Sequence, residues 1–141
     1  MFINQISVFL ENRAGRMAEV TRILADNGVN INALNLADTS DFGILRIITD
    51  NPAHGEKVLK EAGFTATQSE VIAVAMNDKP GGLAEILELL QEKEIAVEYL
   101  YAFKAREMGK ALVIIKVENA VGAAEVLDKH DALFLQPGDI F

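Results

Sequence analysis

The chain has 141 residues, of which 50% are apolar and 24% are charged, with a formal net charge of −8 and no cysteine. These values are typical of a soluble globular protein, and they exclude disulfides and thiolate metal sites. The excess of acidic residues disfavours binding to nucleic acid and to anionic membranes. The apolar runs are too short to cross a bilayer, and the start of the chain does not resemble a signal peptide. We therefore expect a cytoplasmic protein.

The first half of the chain alternates between strand and helix patterns. Alternating apolar residues predict a strand over 2–10, and helical spacing from Met17 onwards predicts a helix that stops at Gly28. The other predicted elements of this half are strands over 29–36 and 43–49, a turn at 39–41, a helix from Pro52 to Gly63 and a strand over 64–68. The order strand–helix–strand–strand–helix–strand is that of the ferredoxin-like βαββαβ unit.

The second half repeats the first half. Gly15 aligns with Gly81, 66 residues later, and the matching apolar positions continue in register, with small insertions towards the end. The predicted elements are strands over 71–76, 95–104, 110–117 and 132–136, and helices over 83–93 and 120–129. We therefore predict an α+β fold of two tandem ferredoxin-like units, residues 1–69 and 70–141. Each unit is expected to have an antiparallel four-stranded sheet with both helices on one face, and a second copy or a second chain covers the other face.

Polar residues around the first predicted helix suggest a binding site. Asn12 lies in the loop before this helix, and Asn30 starts the next strand, which we expect to lie beside the first strand. The helix that begins near Gly15 directs free N–H groups and the positive end of its dipole towards the same place. Together with two amide side chains, these groups suit the ammonium and carboxylate of an α-amino acid. In the structural alternative, Asn12 caps a helix or turn and Asn30 is a polar residue at the edge of the sheet.

Several short stretches resemble the ACT domain, a family of regulatory modules that sense amino acids. They are residues 10–15 and 28–31 in the first copy, and residues 78–86 in the second copy, which match the family's Pro-Gly loop and helix start. The first copy is similar to the form found in the regulatory domain of phosphoglycerate dehydrogenase, where the asparagines matching Asn12 and Asn30 contact bound serine. The resemblance implies a non-enzymatic regulator that needs no cofactor, binds a free amino acid and acts on an enzyme of amino-acid metabolism.

The predicted ligand-binding residues all belong to the first copy. They are Leu10, Asn12, Arg13, Ala14, Gly15, Arg16, Met17, Asn30 and Ile31. Leu10 stands where the dehydrogenase has a histidine, which favours a ligand more apolar than serine, and Ala14 replaces the usual proline. In the second copy Asp78 and Ala96 replace the two asparagines, so we expect that copy to have lost this form of the site.

An alternating set of residues in the second copy allows a different interpretation. The set could share one face of a strand and consists of Ile95, Val97, Tyr99, Tyr101 and Phe103. Aromatic residues on an open sheet face can stack RNA bases, but the acidic charge argues against RNA. Packing against another sheet or chain is the simpler interpretation, and exposed apolar sheet faces favour a homodimer.

Catalysis and metal binding find little support in the sequence. His54 and His130 fall in the second helical region of each copy and lack further ligands at suitable spacing, so we expect neither a metal site nor a catalytic site. Two alternatives to amino-acid sensing remain open at this point. One is an interaction or regulatory-subunit module that binds no metabolite, and the more remote one is an acylphosphatase-like enzyme.

Overall fold

The computed structural model describes residues 2–38, 41–104, 109–130 and 133–134. The elements are β1 (Phe2–Glu11), α1 (Arg16–Asp26), β2 (Ile31–Asp38), β3 (Phe42–Thr49), α2 (Pro52–Glu61), β4 (Thr65–Asn77), α3 (Gly82–Glu92), β5 (Val97–Lys104), β6 (Lys110–Val117), α4 (Ala120–Lys129) and β7 (Leu133–Phe134). The antiparallel strands and the four helices of these described ranges confirm the α+β class. Parts of the predicted turn at 39–41 and of the predicted last strand lie outside the described residues.

The chain divides into two compact units. The first unit comprises residues 4–69, and the second comprises residues 2–3 together with the chain from Glu70 onwards. β4 crosses this division without a break. The sequence predicted two strands here, 64–68 and 71–76, and that prediction is wrong. The polar residues between them look like a linker, but exposed polar side chains do not end a strand when neither glycine nor proline interrupts it.

In the first unit, β3 lies between β1 and β2. Both pairings are antiparallel, with Leu10 opposite Gly43 and Ile31 opposite Thr49. Buried residues of α1, α2, one face of the sheet and the adjoining loops form the core of this unit, which consists of Ile6, Val8, Leu10, Val20, Leu24, Val29, Leu45, Ile47, Val58, Leu59, Phe64 and Ala66. β2 is a terminal strand in the strand order, so one of its sides is unpaired within the described chain.

The second unit repeats this pattern around β6, which lies between β4 and β5. Ile72 is opposite Ile115, and Leu100 is also opposite Ile115 on the other side of β6. β7 pairs with β4. The core consists of Ile72, Val74, Ile86, Leu90, Val113, Ile115, Val117, Ala123 and Leu127, and Phe2 packs against it.

A β-bulge occurs at the same place in both units. The register shifts between Ile31 and Ala33 in β2, and between Val97 and Tyr99 in β5. Because one extra residue is inserted, the side chains before and after a bulge change their relation to the two sheet faces. Val97 packs against the core beneath the helices, whereas Tyr101 lies opposite Ile114, a residue outside that core. The alternating residues Ile95, Val97, Tyr99, Tyr101 and Phe103 therefore do not all share one face, and the interpretation that they could is wrong.

Helix starts are also shared between the units. α1 and α3 follow Gly15 and Gly81, which have φ angles of 89° and 90° and provide no side-chain cap. α2 and α4 follow Asn51 and Asn119, and each asparagine side chain accepts a hydrogen bond from the backbone N–H three residues later. Among the described helices, only the first helix of each unit begins without a side-chain cap. In the first unit, this helix start lies beside the predicted ligand loop.

Candidate functional site

A small pocket lies beside the loop that joins β1 to α1. It is lined by Leu10, Glu11, Asn12, Arg13, Arg16, Met17, Leu36 and Gly43, and its volume is about 80 Å³. Five of the nine predicted ligand residues belong to this lining, and Ala14 and Gly15 lie in the loop between them. Asn30 and Ile31 are not part of it. Glu11 was not predicted, although it lies between Leu10 and Asn12 in the sequence. Leu36 and Gly43 were not predicted because only the pairing of β3 with both β1 and β2 brings them close to the loop.

Main-chain hydrogen bonds hold the loop in place. The Asn12 N–H donates to the Asp41 carbonyl over 3.1 Å, and the Arg13 N–H donates to the Glu11 carbonyl over 2.8 Å. The first bond of the helix runs from the Glu19 N–H to the Gly15 carbonyl over 2.9 Å. The Asn12 side chain is exposed, and no partner for its amide occurs in the described part of the chain. The loop therefore folds without using the Asn12 amide, which remains available to a ligand.

Charged side chains surround the loop. Arg13 Nε lies 3.0 Å from Glu11 Oε2, and Arg16 Nη1 lies 2.9 Å from Glu19 Oε2. A longer contact of 3.9 Å joins Arg16 Nη2 to Glu11 Oε1. The Arg16 guanidinium also lies over the Phe64 ring, 4.6 Å from its centroid. The pocket thus has two arginines on its polar side, and their charges are partly balanced by neighbouring glutamates.

The opposite side of the pocket is apolar. Leu10 is buried, Met17 is half-buried and Leu36 is 47% exposed. Gly43 keeps this side open, because a Cβ atom there would lie only 3.2 Å from the Leu36 side chain. A ligand with a charged end and an apolar end therefore matches the two sides of the pocket.

Asn30 lies at the other end of the sheet from Asn12. Leu10, near Asn12, pairs with Gly43 of β3, whereas Ile31, next to Asn30, pairs with Thr49 of the same strand. Gly43 and Thr49 are six residues apart along β3, a distance of about 20 Å in an extended strand. The prediction that Asn12 and Asn30 of one copy converge on one ligand is wrong, because β3 separates their strands and β1 and β2 run in the same direction.

The surroundings of Asn30 form a separate polar group. The Asn30 side chain donates to Asn32 Oδ1 over 2.8 Å, and its backbone N–H donates to the Asp50 carboxylate over 3.0 Å. The buried Thr49 Oγ1 and Asn32 Nδ2 atoms have no hydrogen-bond partner among the residues that the structure describes. Asn30 therefore lies in a polar surface at the start of β2, and Ile31 packs against the core of the first unit.

The corresponding loop of the second unit has the same main chain and different side chains. The Asp78 N–H donates to the Gly109 carbonyl over 2.9 Å, and the Lys79 N–H donates to the Asn77 carbonyl over 3.0 Å. Gly82 takes the place of Arg16, and a Cβ atom on Gly82 would overlap the Asn77 carbonyl oxygen. This loop therefore has no room for a side chain at the position where the first unit carries an arginine.

The histidines lie outside the pocket. His54 is in the first turn of α2, where its backbone N–H is bonded to Asn51, and His130 follows α4 and is exposed. Among the described residues no group of three or more histidine or acidic side chains is arranged to hold a metal ion. None of the helices in the described ranges is long and apolar enough to span a membrane.

Comparison with known proteins identifies the family. The family model described as an ACT domain pair matches residues 1–140. The chain belongs to the ACT domain pair family. It is similar to the protein BT0572 from Bacteroides thetaiotaomicron, with 36% sequence identity, a TM-score of 0.92, and coverage of 99% of this chain and 96% of that one. A comparison with curated protein sequences finds no match.

More distant structures share the fold of this ACT domain pair. The regulatory subunit of aspartate kinase from Thermus thermophilus has a TM-score of 0.65 at 18% identity, with 89% of this chain and 91% of that one covered. The corresponding subunit from Thermus flavus has a TM-score of 0.64 at 15% identity, with 92% and 94% covered. At this level of identity the similarity concerns the fold.

Proposed function

We propose that this ACT domain pair is a non-catalytic, cytoplasmic regulator that binds a free α-amino acid at the pocket beside the β1–α1 loop. The observation that carries the proposal is the two-sided lining of that pocket. Asn12, Arg16 and the uncapped start of α1 offer hydrogen-bond donors for a carboxylate, and Leu10 and Met17 offer an apolar surface for a side chain.

The ligand of this proposal is an apolar amino acid. Leu10 is 4% exposed and forms part of the pocket wall. A histidine at this position, as in the phosphoglycerate dehydrogenase domain that the first unit is predicted to resemble, would supply a hydrogen bond to a polar ligand side chain. Leucine supplies none, so burying a hydroxyl against it is unfavourable. The specific resemblance to that dehydrogenase stays a prediction.

The proposal includes a homodimer in which Asn30 of one copy lies close to the pocket of the other copy. β2 is an unpaired edge strand in the described chain, and it exposes Leu34 by 46% and Leu36 by 47%. Exposed edges with apolar side chains pair readily with another chain. An antiparallel pairing of two β2 strands brings the start of one strand next to the end of the other. Asn30 and Ile31 of a second copy then lie close to the pocket that contains Asn12.

Residues 1–69 and 70–141 are proposed to be two ACT domains with four-stranded ferredoxin-like sheets, the first carrying the ligand site.

The regulated partner is a further part of the proposal. The structural neighbours named as regulatory subunits of aspartate kinase support an enzyme of amino-acid metabolism as the partner. Coupling between ligand and partner is typically worth about 1–3 kcal/mol.

A thermal-shift and calorimetry screen against the twenty amino acids tests ligand binding. A ligand at about 100 times its dissociation constant stabilises the folded state by roughly 2.7 kcal/mol, which appears as a clear rise in melting temperature. We expect apolar amino acids to give the largest rise and serine to give a smaller one. If none of the twenty changes the melting temperature, the protein is an interaction module without a metabolite.

Mixing two variants tests whether Asn30 acts from a second copy. Asn12→Ala and Asn30→Ala are each expected to bind the amino acid weakly when alone. In a mixed dimer, one site carries both substitutions and the other site carries none. About half of the dimers in an equal mixture are mixed, so about one site in four is intact. A mixture that binds no better than the separate variants contradicts the shared site, and sedimentation at several concentrations checks that the protein is a dimer.

A further inference from the structure

The guanidinium group of Arg16 is held from two directions. Its Nη1 atom lies 2.9 Å from the Glu19 carboxylate, and its plane lies over the Phe64 ring at 4.6 Å from the ring centroid. The ion pair with Glu19 lies within the first turn of α1, and Phe64 is 7% exposed. A flexible arginine side chain is thus fixed in one orientation before any ligand arrives, with 20% of its surface exposed.

One edge of this guanidinium makes no hydrogen bond within the described part of the chain. The Nε atom is buried and has no partner there. Nη2, on the same edge, has Glu11 Oε1 at 3.9 Å, which is an ion pair too long to be a hydrogen bond. Nε and Nη2 together form a planar fork that matches the two oxygens of a carboxylate. The fork belongs to a residue of the pocket lining.

We propose that Arg16 receives the carboxylate of the bound amino acid on its Nε–Nη2 edge, that Phe64 is the positioning residue that orients this edge, and that Glu11 moves aside when the ligand binds. This inference rests on the proposed function and specifies how the same pocket recognises its ligand. Glu11 occupies the Nη2 side only through the long contact, and its side chain is 55% exposed, so a ligand carboxylate can displace it into solvent.

The second unit provides an internal comparison, because it lacks all three residues together. The positions corresponding to Arg16, Phe64 and Glu11 are Gly82, Ala132 and Asn77. Asn77 accepts a hydrogen bond from Lys110 over 2.7 Å and so stabilises its own loop. The arginine, the ring and the acid therefore occur together in the first unit, which is expected if they serve one purpose.

Phe64 variants test the positioning role. We expect Phe64→Leu to weaken the binding of L-leucine roughly 3–30-fold, because a desolvated cation–π contact is lost. L-leucinamide has the same ammonium and side chain but no carboxylate. Phe64→Leu should therefore leave the affinity for L-leucinamide unchanged. Phe64→Tyr retains the ring and should restore the affinity for L-leucine. Calorimetry with both ligands, and thermal melts of all variants, give the comparison; equal losses for L-leucine and its amide overturn the proposal.

Glu11→Gln tests the displacement step. Removing the competing carboxylate should raise the affinity for L-leucine several-fold, since the ligand no longer has to break the contact between Glu11 and Arg16. Glu85→Gln is the matched control, because it makes the same charge change in α3 of the second unit and should leave the affinity unaltered. A lower affinity in Glu11→Gln contradicts the displacement of Glu11.

Nuclear magnetic resonance of the Arg16 side chain separates this inference from the proposed function. Acetate carries a carboxylate and nothing else, so it probes the fork alone. We expect acetate to shift the Arg16 Nε–H signal in the wild type and in Phe64→Tyr, and to have a much smaller effect in Phe64→Leu. This result supports the fork even if no amino acid in the screen binds, whereas an unchanged signal with both acetate and L-leucine overturns it.

Discussion

The loop over residues 12–15 and its counterpart over residues 78–81 have nearly the same backbone and different chemistry. The backbone bond from Asn12 has a length of 3.1 Å, and the equivalent bond from Asp78 has a length of 2.9 Å. The glycines before the two helices differ in φ by one degree, at 89° and 90°. The duplicated backbone is therefore a common support. A binding function depends on the few side chains that differ, and these can change without altering the loop.

The largest difference between the loops is the space at the first helical residue. Gly82→Ala should lower the free energy of unfolding by about 2–3 kcal/mol, because the added methyl group overlaps a backbone carbonyl that cannot move easily. Arg16→Ala at the equivalent position should cost about 1 kcal/mol, from the lost ion pair and ring contact. Denaturant unfolding measures both. Equal losses of unfolding free energy in the two variants would show that the second loop is packed no more tightly than the first.

Ligand affinity should depend on only one of the two loops. Asn12→Ala removes an amide that has no partner in the described chain, and it should weaken amino-acid binding by about 1–3 kcal/mol while leaving stability nearly unchanged. Asp78→Ala is the matched control in the second unit and should have little effect on binding. Calorimetry with L-leucine distinguishes the two variants. Similar losses from both would mean that each unit carries a site.

A smaller difference lies at the end of the first helix in each unit. Both helices end in a Schellman motif, in which Gly28 has a φ of 72° and Glu94 has a φ of 53°. A residue with a side chain is strained in this left-handed conformation. Glu94→Gly should therefore stabilise the protein by about 0.5–1 kcal/mol, and Gly28→Ala should destabilise it by about 1 kcal/mol. A loss of stability in Glu94→Gly would mean that the Glu94 side chain stabilises the protein by more than its backbone strain destabilises it.

Local features of the fold were predictable from the sequence because they depend on neighbouring residues. The helices follow from apolar spacing, and the stops at Gly28 and Gly63 follow from the left-handed conformation that glycine adopts readily. The bulge at Glu98 and the continuous strand β4 were missed. A bulge leaves no composition signal in these strands, and polar residues such as Gln68 look the same in a linker and on an exposed strand.

The site was only partly predictable, because its parts come from distant positions. The loop residues from Leu10 to Met17 are adjacent in sequence, so their chemistry could be considered together. The placement of Asn30 required the strand order, and a wrong neighbour for β1 led to a wrong convergence. The contact between Arg16 and Phe64 joins residues 48 positions apart. Comparing the two copies offers a signal for it, since Gly82 and Ala132 replace both partners at once.

The assignment of Phe2 and Ile3 to the second unit has a consequence for biosynthesis. Phe2 and Ile3 precede the whole first unit along the chain, but the core that Phe2 packs against includes Leu127 of α4. The first unit can form as soon as its own residues have been synthesised, whereas the second is complete only after α4 has been made. Removing the Phe2 side chain is therefore expected to disturb the second unit more than the first unit, which directly follows Phe2 and Ile3 in the sequence.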